Sequence, residues 1–255
     1  MKVVILAGGF GTRISEESSL KPKPMIEIGE KPIIWHIMKL FSFYGFKDFI
    51  ICCGYKGYSI KEYFINYLLH NSSIELNLAN NSYKVIDPHS EDWNVTLVDT
   101  GVETQTGGRL KKIKPLLGNE DFFMTYGDGV SNVNLHKLLE FHKSHKKLST
   151  ITAVQPPGRF GALIMENNLV KSFTEKPIGD GGWINGGYFV LSPKVLSYIN
   201  SESTIWEKEP LQNLAENNNL MAYPHKGFWH PMDTLRDKNY LESLWNESKA
   251  LWKVW

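Results

Sequence analysis

The chain predicts an α/β fold, a doubly wound and mostly parallel sheet with helices on both faces. Three observations carry this. Short, nearly continuous apolar runs alternate with stretches of helical spacing, as expected of strands buried on both faces. The first run, Val3-Val4-Ile5-Leu6, opens directly onto Gly8-Gly9-Phe10-Gly11-Thr12-Arg13. A later run, Phe122-Phe123-Met124-Thr125-Tyr126, stops at Gly127-Asp128-Gly129. Sheets of this class hold ligands beyond the C-terminal ends of their strands, and both glycine turns fall at such ends.

Taken in order, residues 3–6 predict a buried strand. Residues 33–44 have helical spacing, and Pro32 suits the first turn. Residues 49–53 predict a second strand. Residues 59–69 predict a helix, with Ser59 and Glu62 at capping-box spacing. Further strands are expected at 95–98, 122–126 and 150–154, with a helix at 135–145. The pattern changes after Pro156-Pro157-Gly158. Residues 162–165, 169–173 and 188–191 predict shorter strands in a mixed sheet, and 193–199 and 206–215 predict helices. A last helix is expected at 239–250, before the aromatic end Leu251-Trp252-Lys253-Val254-Trp255. Residues 71–93 are polar without a clear period. They read as an excursion that covers a site or makes an oligomer contact.

Composition narrows the function classes. A chain of 255 residues with 42% hydrophobic content can build a sizeable core. Its 28 Lys and Arg nearly balance 27 Asp and Glu, so no global field favours nucleic acid or anionic lipid. Any anion site must be local, and neither nucleic acid nor a membrane is an expected partner. No apolar stretch has transmembrane length, and Lys2 leads straight into a strand without a signal-peptide pattern. Cys52 and Cys53 are adjacent on a strand and point to opposite faces, which argues against a disulfide between them. A cytoplasmic location is expected.

The chemistry concentrates in a few places. A strand, a glycine turn and then the cations Arg13 and Lys23 form the pattern of a phosphate cradle. Glycines let the backbone approach an anion, and the cations neutralise it. The turn is not a P-loop, because Gly11 is followed by Thr12-Arg13 rather than Lys-Ser/Thr. It also fails the dinucleotide fingerprint, because Ile14 stands where the third glycine is needed. Asp128 and Asp233 suit a divalent cation over a polyphosphate, since Mg²⁺ takes one or two carboxylates plus phosphate oxygens and water. Gly-Asp-Gly is equally a turn composition, and Asp233 is equally a helix N-cap. Glu175-Lys176 ends a predicted strand, where the pair suits a sugar phosphate or a solvated turn. Asn185-Gly186-Gly187 suits a sugar pressed against backbone, or a bulge. Thr106-Gly107-Gly108-Arg109 suits a triphosphate or base contact, or the first turn of a helix. No metal-ligand spacing joins the histidines, and no Ser-His-Asp nucleophile is visible.

Together these pieces resemble the sugar-1-phosphate nucleotidylyltransferases. That family opens with a strand and a G-G-x-G-T-R loop and continues with a P-K segment, as at Gly8–Arg13 and Pro22-Lys23. It carries a Gly-Asp metal site, as at Gly127-Asp128, an E-K-P, as at Glu175-Lys176-Pro177, and a late metal aspartate, as at Asp233. Within the family the cytidylyl branch acting on glucose 1-phosphate is the most similar. The carriers are Lys21-Pro22-Lys23-Pro24-Met25, Thr106-Gly107-Gly108-Arg109, Arg159-Phe160-Gly161-Ala162 and Met232-Asp233-Thr234.

The resemblance implies a Rossmann-like nucleotide-diphospho-sugar transferase fold in one domain, 1–255. Residues 1–155 would mainly bind nucleotide, and 156–255 would mainly bind sugar and make oligomer contacts. It implies Mg²⁺ on Asp128 and Asp233, CTP and glucose 1-phosphate as substrates, and a homo-oligomer. Leu6, Gly8, Gly9, Gly11, Thr12, Arg13, Lys23, Thr106 and Arg109 would meet the nucleotide. Tyr126, Glu175, Lys176, Asn185 and Gly187 would meet the sugar phosphate. Arg13, Lys23 and Asp128 would be catalytic. Other bases of the same family, or a catalytically silent nucleotide-sugar sensor, are the competing expectations.

Overall fold

The computed structural model describes residues 1–11, 14, 21–156, 162–166, 168–174 and 182–255. Thr12, Arg13, Glu175 and Lys176 lie outside them, as do Pro157–Gly161 and Ser18–Leu20.

One seven-stranded sheet organises the chain. Its strands are β1 (Lys2–Ala7), β4 (Asp48–Cys53), β7 (Asn94–Asp99), β8 (Phe122–Tyr126), β10 (Ser149–Val154), β13 (Ile184–Leu191) and β14 (Leu220–His225). The spatial order is β14-β10-β13-β8-β1-β4-β7. Only β13 runs against its neighbours: it pairs antiparallel with β8 and β10, and the remaining pairs are parallel. The doubly wound, mostly parallel reading therefore stands. Two expectations change. Residues 188–191 belong to an eight-residue strand in the middle of the mixed sheet, longer than the short strand expected. Residues 162–166 and 169–174 form a separate hairpin, β11–β12.

The apolar runs follow from burial on both faces. In β1, Val3, Ile5 and Ala7 enter one core layer and Val4 and Leu6 the other. The first layer is closed by α1 (Ile33–Phe43), the second by side chains such as Leu110, Ile113, Trp206 and Leu214. Helix α1 begins one residue after Pro32, which acts as its N-cap rather than as part of the first turn. Helix α2 (Gly57–Ile65) starts earlier than its sequence suggests. Lys56 in left-handed conformation is its N-cap, so the Ser59–Glu62 capping box is not formed. A short α3 (Tyr67–His70) follows.

The polar stretch after it is a ribbon, β5 (Ser73–Asn77) paired with β6 (Ser82–Asp87), exposed along almost its whole length. The aromatic C-terminus, by contrast, docks on the chain's own core. Trp252 is fully buried beside Trp245 and His36.

His36 shows how that tail is held. One ring nitrogen, Nε2, faces the Ile28 carbonyl at 2.8 Å, and Trp252 Nε1 donates to the other, Nδ1, at 3.3 Å. This is the hydrogen-bonding set of a neutral imidazole. Burial, with smaller contributions from Lys253 and Lys31, lowers its pKa to about 4. The unfolded chain therefore takes up a proton near pH 6.5 that the folded chain refuses until about pH 4. Stability is full above the unfolded value and falls as the pH drops through this window, by about 3 kcal/mol at most. Urea midpoints measured in steps between these values should decline, and His36→Phe should flatten the decline. An equal slope in both proteins would assign the loss to other groups, such as His142 and His225, which are also lowered by burial.

Candidate active site

Strands β7, β4 and β1 run in one direction of assembly and β8 begins the other, so the order reverses between β1 and β8. Loops leaving adjacent strands at such a point diverge to opposite faces and open a crevice. Leu6 and Tyr126 are paired at this edge, and Gly127 N donates to Leu6 O at 3.1 Å. A cavity of about 270 Å³ lies there, walled by Gly8, Gly9 and Gly11, by Lys23 and Asp128, and by Thr104 and Thr106. A second cavity of about 330 Å³ adjoins it on the far side of Tyr126 and Asp128, with Asn185, Gly187, Trp229 and Asp233 in its wall.

The two aspartates converge, which their separation of more than a hundred residues could not reveal. The agent is a small antiparallel pair, β9 (Gly129–Ser131) with β15 (Trp229–Pro231), in which Pro231 lies opposite Gly129. Asp128 and Asp233 therefore emerge from the same end of this pair, and Met232 N donates to Asp128 O at 2.8 Å. Asp233 is not a helix cap. Thr234 caps α5 (Leu235–Asn246) in a full capping box with Asp237, whose carboxylate also accepts the Asp233 N–H at 3.1 Å. The helix start thus fixes the backbone of Asp233 and leaves its side chain for the site.

Lys23 sits between the two. It lies in a single 3-10 turn, Lys23–Met25, whose Pro24 packs so closely on Gly127 that a Cβ there would overlap it. Its Nζ is 2.6 Å from Asp128 Oδ2 and 2.5 Å from Asp233 Oδ1. Burial works against the ammonium charge, but the charges and hydrogen bonds of Asp128 and Asp233 outweigh it and raise the pKa above the ordinary lysine value.

The Thr106-Gly107-Gly108-Arg109 stretch is the first turn of α4 (Thr106–Lys112). Its amides are not an anion cradle. Gly107 N and Gly108 N both donate to Thr204 O, and the glycines are required because a Cβ would strike the backbone of Thr204 or Glu202. Arg109 lines the first cavity but is almost fully buried. Its Nη1 donates to Thr100 Oγ1 at 2.6 Å and Gly101 O at 2.8 Å and reaches Cys53 O at 3.2 Å. Its Nη2 donates to Gly8 O at 2.9 Å and Val102 O at 3.3 Å. Expected as a ligand-facing cation, Arg109 is seen holding the glycine loop to the opposite wall.

Asn185 turns its Oδ1 to Gly187 N at 2.8 Å and its Nδ2 toward the Tyr126 hydroxyl at 3.5 Å. Gly187 has φ of +79° and faces the Tyr126 ring, so this position is closed to larger residues. Two residues were not foreseen as parts of the site. Trp229 lines the second cavity and donates to Gly186 O at 2.7 Å. Glu207 accepts from both Tyr126 and Thr106. No spacing in the sequence ties Glu207 to either, because the link is made only by the fold.

A strand-to-glycine loop, a lysine and two carboxylates around a crevice at a reversal of strand order are suited to phosphoryl-group chemistry on a nucleotide. The chain belongs to the nucleotidyl transferase family, whose sequence pattern matches residues 2–246, and it is a nucleotidyltransferase. It is 58% identical to the glucose-1-phosphate cytidylyltransferase of Salmonella typhi over the full length of both chains. It is 43% identical, again over both full lengths, to the probable glucose-1-phosphate cytidylyltransferase of Bacillus subtilis (strain 168). The fold is also similar to the crystal structure of HddC from Yersinia pseudotuberculosis, with TM-score 0.69, 24% identity and coverage of 96% of this chain and 99% of that one.

Proposed function

We infer that this chain transfers CMP from CTP to α-D-glucose 1-phosphate, giving CDP-glucose and pyrophosphate. The observation that carries the reading is the meeting of Lys23, Asp128 and Asp233 beside the glycine loop, in a chain so similar along its whole length to cytidylyltransferases. Two adjoining cavities suit two substrates, nucleotide against Gly8, Gly9 and Gly11 and sugar against Tyr126, Asn185 and Gly187.

A phosphate oxygen of glucose 1-phosphate attacks the α-phosphorus of CTP in line, and the bond to pyrophosphate breaks. No protein nucleophile is needed, so the chain contributes positioning and charge. Leu6 and the loop glycines bring backbone against the nucleotide, with Thr106 on the facing wall. Lys23 neutralises charge that develops on the α-phosphate and on the departing pyrophosphate. Arg109 holds the wall that receives the base. Arg13 and Thr12 are assigned to the triphosphate, and Glu175 and Lys176 to the sugar phosphate, on the resemblance alone.

Mg²⁺ fits this donor set. Asp128 and Asp233 are close enough to share one cation, and in the structure the Lys23 ammonium stands in that place. Among the described residues no third His, Cys, Asp or Glu completes a closed cage, which suits an ion that keeps phosphate oxygens and waters as its other ligands. Held by these two carboxylates, the ion would supply charge neutralisation at the phosphates. A homo-oligomer is supported by the β5–β6 ribbon, where Leu76, Leu78, Tyr83 and Ile86 are exposed. Among the described residues no helix is long and apolar enough to cross a membrane. A cytoplasmic site of action is part of the reading.

The test is pyrophosphate release with glucose 1-phosphate and Mg²⁺, comparing CTP, dTTP, UTP, ATP and GTP. Release that depends on CTP, sugar and metal is expected. Release with dTTP or UTP in place of CTP would keep the mechanism and overturn the base. Nucleotide-sugar binding without release would favour a silent sensor.

A further inference from the structure

Glu207 lines neither cavity, yet it joins them. Its Oε1 accepts from the Tyr126 hydroxyl at 2.5 Å and its Oε2 from the Thr106 hydroxyl at 2.6 Å. Tyr126 belongs to the walls of both cavities, Thr106 to the first only, and Asn185 to the second only. A single hydrogen-bonded chain, Thr106–Glu207–Tyr126–Asn185, therefore runs behind the site from the nucleotide wall to the sugar wall. The segment that carries Glu207 is itself anchored on α4. Gln105 N donates to Glu202 O at 2.9 Å, Gly107 N to Thr204 O at 3.0 Å, and Trp206 N to Thr106 Oγ1 at 2.9 Å. The backbone leading to Glu207 cannot move without carrying the start of that helix.

The chemistry of the pair favours a carboxylate here. The Tyr126 hydroxyl is a donor to Glu207 and keeps its lone pairs for Asn185. A hydrogen bond to an ionised acceptor is roughly twice as strong as a neutral one, so the orientation of the ring depends on where Glu207 stands. Gly187 lies against the same ring, where a Cβ would come within 2.9 Å of Tyr126 Cδ2.

We propose that Glu207 is a positioning residue that couples the two substrate sites. Occupation of the nucleotide cavity sets Thr106, and through Glu207 it sets Tyr126 and Asn185 for the sugar phosphate. The proposal rests on the two-substrate reading above. It goes further by naming the device that makes the second substrate bind better after the first.

The experiment measures the affinity of glucose 1-phosphate by calorimetry, with and without α,β-methylene-CTP, which fills the nucleotide cavity but cannot release pyrophosphate. In the unmodified protein the analogue should tighten sugar-phosphate binding by about fivefold or more, at the low end of ordinary coupling between sites. Glu207→Ala should bring the ratio close to one while changing analogue affinity alone far less. Glu207→Gln keeps one acceptor and the shape, and should restore part of the coupling. Tyr126→Phe, which cannot donate to Glu207, should lose it as Glu207→Ala does. This last variant serves if Glu207→Ala does not fold. Coupling retained in these variants would overturn the proposal, including the case where only their melting temperature falls. Absence of coupling in the unmodified protein would overturn it as well. Pyrophosphate release by the unmodified protein separates these failures from failure of the functional reading itself.

Discussion

Lys23→Ala is expected to lower kcat by about 10²- to 10³-fold, the usual cost of removing a donor preorganised for transition-state charge. The KM for glucose 1-phosphate should change little, because Lys23 lines the cavity of the glycine loop and not the adjoining one proposed for the sugar. The reason lies in its surroundings. Its ammonium is almost fully buried, raised above its ordinary pKa and held by two carboxylates, so it remains charged across the working range of pH. It lines the same cavity as the loop glycines, so its charge is at hand where the phosphates would lie. Alanine would also leave Asp128 and Asp233 facing each other without a cation. Like charges that close disfavour the ionised pair, so the variant should gain more in melting temperature from added Mg²⁺ than the unmodified protein does. Steady-state kinetics and a thermal scan with and without Mg²⁺ check both halves. Near-normal turnover would remove Lys23 from the mechanism.

Arg109→Ala should act first on stability and through it on the nucleotide site. The guanidinium ties Gly8 O in the glycine loop to Gly101 O and Val102 O on the opposite wall, and it reaches Cys53 O at the end of β4. Removing it strands several buried acceptors at once. Loss of one side of a buried charged network costs about 3–5 kcal/mol. For a chain of 255 residues this corresponds to a fall of about 10 °C in Tm. The KM for CTP should rise as the two walls relax. Arg109→Lys should recover little, because a single ammonium with three donors cannot span acceptors that a planar fork reaches together. An unchanged Tm with a raised KM for CTP would show that Arg109 serves the ligand and not the wall.

These two residues mark the boundary between local and global information. Asp128 and the loop glycines were legible because each sits next to a strand end, and strand ends were legible from continuous apolar runs; Lys23 was legible as a cation in the segment after the glycine turn. Arg109 was legible as a cation near the site, but its direction was not. Where a guanidinium points depends on which carbonyls the packed loops offer, and these come from β1, β4 and the 100–102 turn together. Glu207 carried no signal at all, since an isolated glutamate beside a tryptophan is ordinary in sequence.

Local physics determined much of this protein by itself. The alternation of apolar runs with helical spacing determined the α/β class. Glycines after β1 and β8 determined where the backbone could meet phosphate, and balanced charge confined any anion site to that place. Tertiary structure alone decided the convergence of Asp128 with Asp233 on Lys23, the central antiparallel β13, the docking of the aromatic tail and the chain of hydroxyls around Glu207. The physical reason is one of range. Periodicity, capping and turn chemistry act over a few residues and leave a mark in composition, whereas strand pairings such as β9 with β15 join residues about a hundred apart through backbone hydrogen bonds that any side chain can share.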